Sequence, residues 1–443
     1  MSKGQQKKSS QNIKLCREEL IAAREGDDSR QISMTAASLG LALSQAYKSA
    51  EGLKYLNEAI QIAKKVDDLG LHVHCLGMKA LAFQFIGRFP DAFKVAEEIL
   101  KLGEKHEDDA LRFDAFASMG QILMESGEEI LALEKFKEAQ EISDTIDDPR
   151  RTMNIRSAMG NYSLNVAAPD QAFDYFEDAL AIAVSLGDKN TEIGLLGNLG
   201  TILSWKEQHR EAVQAFEAVL DHVRKEGNKE VEAQTLRHLA NSHNQLKQPN
   251  KVLEYAKAGL ALDEWIDTQI TVFFYEKIIA THYKLGENEE AEAYTLQAIE
   301  FAASRGDEGK ELDFLLSLGE SFVLSGKPEE ALDIYKKAVQ KANNADRKKD
   351  AAYLTGRVGI TLAELGQLSE AVTYHETAVK LAQERNLADL EGEQLLMLAI
   401  AYFEKNDNKK AQEYCQAAIQ VYVKTGLKED EQKARQLLAK IDA

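Results

Sequence analysis

The chain has 443 residues, 44% hydrophobic and 29% charged, with a formal net charge of −19. That acidic balance argues against general nucleic-acid binding, which draws most of its affinity from lysine and arginine on phosphates, and against an anionic membrane surface. No apolar run approaches the roughly 20 residues needed to span a bilayer, and the polar start carries no signal peptide, so the cytoplasm is the expected location. Cys16, Cys75 and Cys415 have no paired spacing, which excludes a disulfide framework and a cysteine zinc site.

Residues 1–10, with Lys3, Lys7 and Lys8 among Gly, Gln and Ser, have nothing to bury and are expected to form a disordered tail. Ile13 to Asp28 align with Leu53 to Asp68, so residues 11–28 are read as a capping helix, the second half of an incomplete unit. Then a small residue recurs: Gly52, Ala92, Ala132, Ala172, Ala212, Val252, Ala291, Ala331, Ala371 and Ala411. The step from Gly52 to Ala92 is repeated each time, except that the one from Val252 to Ala291 is a single residue shorter. A period held over the whole length predicts an all-α solenoid of stacked units rather than one globular core. Residues 30–427 make a ten-unit array, with an irregularity expected around Leu262 to Ile270, where the residue is missing. Ala434, Leu437, Leu438 and Ile441 form a last apolar stripe, a capping helix over 428–443.

Each unit reads as two helices. Around Ala212, one stripe holds Leu195, Leu199, Ile202 and Leu203, and a second holds Val213, Phe216, Val219 and Leu220, both at helical spacing. Between the stripes lies a breaker: Gly87, Gly127, Gly286, Gly326 and Gly366 each stand shortly before the key alanine of their unit, at one fixed distance. Pro90, Pro169, Pro249 and Pro328 follow, where a missing N–H matters little at a helix start. Gly120, Gly160, Gly200, Gly319 and Gly359 lie one helix earlier, each as far from its alanine as Gly120 is from Ala132. Small side chains at both places let the helices approach, and a ring one helical turn after the alanine fills the gap beside the crossing. Cys16 and Cys415 occupy that ring's slot and read as small buried hydrophobes.

The pattern small–x11–small–x3–aromatic–x2–Ala, as in Gly120, Ala132, Phe136, Ala139 and Gly160, Ala172, Phe176, Ala179, resembles the tetratricopeptide repeat. The resemblance covers residues from about 30 to 424, and the long step departs from the family's commonest period of about 34. In that respect the chain is similar to the branch that includes Pins-type polarity scaffolds and kinesin light chain. The resemblance implies a right-handed superhelix whose first helices line a concave groove, and a function in protein–protein interaction.

Enzyme chemistry has no constellation to support it: HExxH, GxxxxGK[ST] and GxSxG are all missing, so no catalysis and no cofactor are expected. His72 and Cys75 share a helical face but lack a third ligand. His243, His282 and His375 fall in slots that are apolar or Tyr elsewhere, and read as core histidines. Gly194 and Gly197 lie inside a helical stripe rather than in a phosphate loop.

If the first helices line a groove, its exposed positions are those that Gly194, Gly197, Asn198, Thr201 and Ser204 hold in the unit of Ala212. In the middle of the array these positions give Asn154, Asn161, Gly194, Gly197, Asn198, Thr201, Gln234, Arg237, His238, Asn241 and Asn244; further on come Lys277 and Arg357. An Asn amide both donates and accepts, so it can pair with an extended peptide backbone of any sequence. Arg237 and Arg357 offer forked pairing to a carboxylate or phosphate. The chaperone-type carboxylate clamp is not matched: Arg237 and Asn241 would begin it, but Lys277 replaces its Asn, and Asp313 and Ser317 replace its bases. The expected function is a non-enzymatic, monomeric scaffold holding a peptide or helix of a protein partner, without nucleic acid or membrane. The partner is basic or carries an acidic group for the arginines. The alternative is a ligand-gated regulator acting on a separate effector.

Overall fold

A computed structural model describes residues 3–442, with side chains from residue 10 onward, and among these residues it is built of helices. Two compact units divide between Thr271 and Val272. The first unit opens with α1 (Lys3–Glu25), followed by pairs of helices: α2 (Ser29–Gln45) with α3 (Ser49–Val66), α4 (Leu69–Phe85) with α5 (Phe89–Lys105), and α6 (Asp109–Ser126) with α7 (Glu129–Ser143). It continues with α8 (Pro149–Asn165) and α9 (Pro169–Leu186), α10 (Lys189–Trp205) and α11 (His209–Glu226), and α12 (Lys229–Gln245) and α13 (Pro249–Leu260). The boundary falls in α14 (Thr268–Leu285). The second unit then holds α15 (Asn288–Arg305), α16 (Glu308–Leu324), α17 (Pro328–Asn344), α18 (Lys348–Glu364), α19 (Leu368–Glu384), α20 (Ala388–Glu404), α21 (Asn408–Thr425) and α22 (Lys428–Ile441).

Local chemistry starts and stops these helices at the same places in successive units. Eight first helices open on a carboxylate or amide that accepts backbone N–H groups, as Asp68 does from Leu71 and Asp188 from Thr191, satisfying donors that the first turn leaves unpaired. Four second helices carry a proline within their first two residues. The turn inside each hairpin requires a left-handed residue. Gly87, Gly127, Gly286, Gly326 and Gly366 supply it, and in the other five units Tyr47, Ala167, Glu207, Lys247 and Asn406 adopt the same positive φ. The turn geometry is therefore uniform although the glycine is not.

Packing within the hairpin rests on the small residues. A Cβ added to Gly120 would lie 2.5 Å from the Phe136 ring, and one added to Gly160 would lie 2.6 Å from Phe176. Both rings are completely buried. Carbon atoms need about 3.5–4.0 Å, so only glycine admits the ring. His375 fills the corresponding space against Gly359. Cys16, Cys75 and Cys415 are all buried, and burial pushes their thiols up.

The ends and the irregular segment also have specific causes. α1 starts at Lys3, earlier than composition suggested for a tail over residues 1–10; Met1 and Ser2 lie outside the described residues. Ile13, Cys16 and Leu20 of α1 join the core built by α2 to α6. At the other end, Ala434 and Ile441 of α22 are buried, Leu437 and Leu438 pack on the same cluster, and Cys415 Sγ donates to the Ala434 carbonyl at 3.0 Å. In the region of the shortened step, α13 is only 12 residues long and a turn precedes α14, which Asp267 caps through the Ile270 N–H. The expected irregularity is there.

Candidate functional site

Within the first unit the first-helix face of α8, α10 and α12 carries the amides singled out in the sequence. Asn154, Asn161 and Asn241 are exposed and Asn198 and Gln234 half-buried, and none of these five side chains makes a hydrogen bond among the described residues. Asn244, by contrast, is engaged. Gly194 and Gly197 lie on the same face of α10, and a Cβ added at either meets nothing within 4 Å. These two glycines differ physically from Gly200 on the same helix, whose Cβ would meet Phe216 at 2.9 Å. Gly200 is required by packing and the other two are not. Thr201 turns its hydroxyl back to the Gly197 carbonyl at 3.0 Å, which removes that hydroxyl as a free donor.

The position that Asn198 holds in its unit differs from its neighbours. Ala158, Asn198, His238, Lys277 and Arg357 all occupy it in their own units, and all are half-buried. His238 shows where it points: its imidazole stacks on Phe216 of the preceding hairpin at 4.9 Å between centroids. Burial, with the Arg237 charge beside it, lowers its pKa to about 4, so it is neutral at pH 7. His238 is thus a packing element between hairpins rather than a charged group on an open face. Arg237, one residue earlier, has no ion-pair partner among the described residues.

The two basic candidates of the second unit are both committed. Arg357 donates to Glu320 Oε1 and lies over the Tyr353 ring. Burial opposes its charge, but Tyr353, Tyr335 and Glu320 together outweigh that and raise its pKa. A guanidinium already neutralised by Glu320 is not a free grip for a ligand carboxylate, which corrects the expectation for Arg357. Lys277 is half-buried with its ammonium over the Phe273 ring at 5.2 Å; burial, assisted by the Lys284 charge, lowers its pKa.

The histidines elsewhere are core groups. His243, His282 and His375 are buried, and Nδ1 of each lies 2.6–2.7 Å from Gln248, Glu287 and Gln394 respectively. Cys75 Sγ is 3.4 Å from Ser33 Oγ. Among the described residues no group of three or more His, Cys, Asp or Glu side chains is placed to hold a metal ion, and no helix is long and apolar enough to cross a membrane.

Family models described as tetratricopeptide repeat match residues 191–264, which span α10 to α13, and residues 395–422 in α20 and α21. No curated protein matches the chain. Among solved structures, the apo form of RapI is 14% identical, with 77% of this chain and 97% of that one covered at a TM-score of 0.45. A signal-transduction ATPase with a tetratricopeptide-repeat sensor from Pyrococcus horikoshii is 15% identical, with 92% of this chain and 55% of that one covered at 0.44. A Rap protein complexed with competence and sporulation factor is 15% identical, with 76% and 99% covered at 0.40. Tetratricopeptide-repeat models thus match one stretch in each unit, and the helical hairpin they cover recurs along both.

Proposed function

We propose that this protein is a non-enzymatic interaction scaffold, and that the first-helix face of α8, α10 and α12 holds an extended peptide segment of a protein partner. One observation carries the reading: Asn154, Asn161, Asn198 and Asn241 present unpaired amides beside Gly194 and Gly197, where the helix surface is open. Each glycine inside a helix costs up to about 1 kcal/mol relative to alanine, and packing does not require either of them. A ligand backbone approaching the helix closely gives them a role. The amides would pair with its N–H and C=O groups in alternation, and Arg237, free of a carboxylate partner, would take an acidic group.

Affinity capture from a lysate of the source organism, followed by titration of the recovered partner, tests this. Replacing Asn198 and Asn241 together with Ala should weaken binding by about 1–3 kcal/mol, roughly 5- to 150-fold. Gly197→Leu should block it while leaving the helix as stable or more so. Glu97→Ala and Glu134→Ala, exposed on second helices, should change little. Full binding by Gly197→Leu, with loss in the second-helix variants, would move the interaction to the other surface.

A further inference from the structure

A cavity of about 490 Å³ opens in the second unit where the first turns of α18 and α20 meet the flank of α16. Leucines supply the apolar part of its wall: Leu312 and Leu354 are buried, and Leu316, Leu387 and Leu390 are half-buried beside the ring of Tyr353. Its volume lies within the range of about 300–1,000 Å³ usual for ligand sites.

The repeat pattern breaks at this place. In α2, α4, α6, α8, α10, α12 and α16 an Asp or Asn side chain caps the helix, and Asp267 does so for α14. The helices whose first turns form the cavity, α18 and α20, open instead on Arg347 and Leu387, with no side-chain cap bond, as the terminal α22 does on Leu427. A stabilising polar group has been replaced at 387 by a leucine that lines the cavity.

Charge indicates what enters. The cavity lining carries Asp313, Asp350 and Asp389 against a single cation, Lys349. Asp350 is held by Arg347 at 2.7 Å and Asp313 by Lys310 at 3.5 Å. Asp389 is exposed and has no ion-pair partner among the described residues. We infer that this cavity is a second peptide site, taking a segment in which a large apolar side chain stands next to a lysine or arginine. The apolar group fills the leucine-lined space and the cation pairs with Asp389. The site belongs to the second unit and is independent of the reading of the asparagine face.

A random heptapeptide library displayed on phage and selected against the full chain tests it, with fluorescence anisotropy of the recovered peptides. Leu, Phe or Met beside Lys or Arg should be enriched. Those peptides should bind Leu387→Asp and Asp389→Lys at least tenfold more weakly, and Lys349→Glu several-fold more tightly. Leu387→Asp restores the cap used by eight other first helices, so its thermal midpoint should equal or exceed that of the parent, separating lost binding from lost folding. Absence of the apolar–basic pattern, or unchanged binding by both weakened variants, would overturn the inference. Recovery only of peptides whose binding depends on Asn198 and Asn241 would overturn it too, while leaving the asparagine face standing.

Discussion

Two glycines that look alike in the sequence should respond oppositely to the same substitution. Gly197→Ala places a Cβ in open space, so only the backbone effect operates and the helix gains up to about 1 kcal/mol. Gly120→Ala gains the same amount from the backbone but sets its Cβ 2.5 Å from both Cδ1 and Cε1 of Phe136. That is about 1 Å inside normal carbon contact, against a ring with no exposed surface through which to yield. Overpacking of this kind costs roughly 1–3 kcal/mol. Gly120→Ala should therefore be the less stable of the two by about 1–3 kcal/mol, since the backbone gain is common to both. Urea unfolding of the full chain followed by far-UV circular dichroism reads the difference, with the slope checked for constancy because stacked repeats can unfold in parts. Hydrogen exchange in α6 and α7 localises it. If Gly120→Ala is as stable as Gly197→Ala, the hairpin crossing is not limited by that ring, and the explanation for the recurring glycine fails.

Acidification should destabilise the first unit through His238. Its folded pKa is depressed from 6.5 to about 4, so the unfolded chain binds more protons within that window. The contribution is complete above pH 6.5 and lost as pH falls toward 4, a change of about 3 kcal/mol. Unfolding midpoints between pH 7 and 4 should show this slope, and His238→Phe should flatten it; an unchanged slope in that variant rules the imidazole out as its source. Deleting residues from Lys428 onward should expose Tyr422 and Cys415, which α22 now helps to bury, and should lower the thermal midpoint or cause aggregation. A truncated chain that melts and sediments like the parent would show that α22 is not a cap.

Much of the fold was legible because its determinants are local and repeated. The spacing of Gly120, Ala132 and Phe136 encodes a close helix crossing directly, since residue size alone decides whether the ring fits. The hairpin turn was legible only in part. Gly87 announces a left-handed residue, whereas Tyr47 and Glu207 take the same conformation with no side-chain signal for it. There the stacked neighbours fix the backbone and the residue tolerates the strain. The face assignment failed in one respect for a related reason. Counting back from the key alanine to the slot of Asn198 gives a side of the helix, but not the approach of the preceding hairpin. That approach turns His238 onto Phe216 and leaves Arg357 between Glu320 and Tyr353.

Redundancy gives the departures from the pattern their meaning. In an array where each unit packs only on its neighbours, every unit faces nearly the same physical demands, and a residue that breaks the pattern must answer to something else. Gly200 answers to Phe216 and needs no ligand. Gly197 answers to nothing in the fold, and it stands beside unpaired amides. Leu387 replaces a cap that eight other first helices obtain from Asp or Asn, and it lines a cavity. None of these substitutions improves the stack, since glycine weakens a helix interior and leucine leaves first-turn N–H groups without a side-chain acceptor. They fall at the two places where binding is proposed, one in each unit. Residues that lower stability without a packing return are the expected mark of a binding surface, and both tests of function proposed for this chain act on those residues.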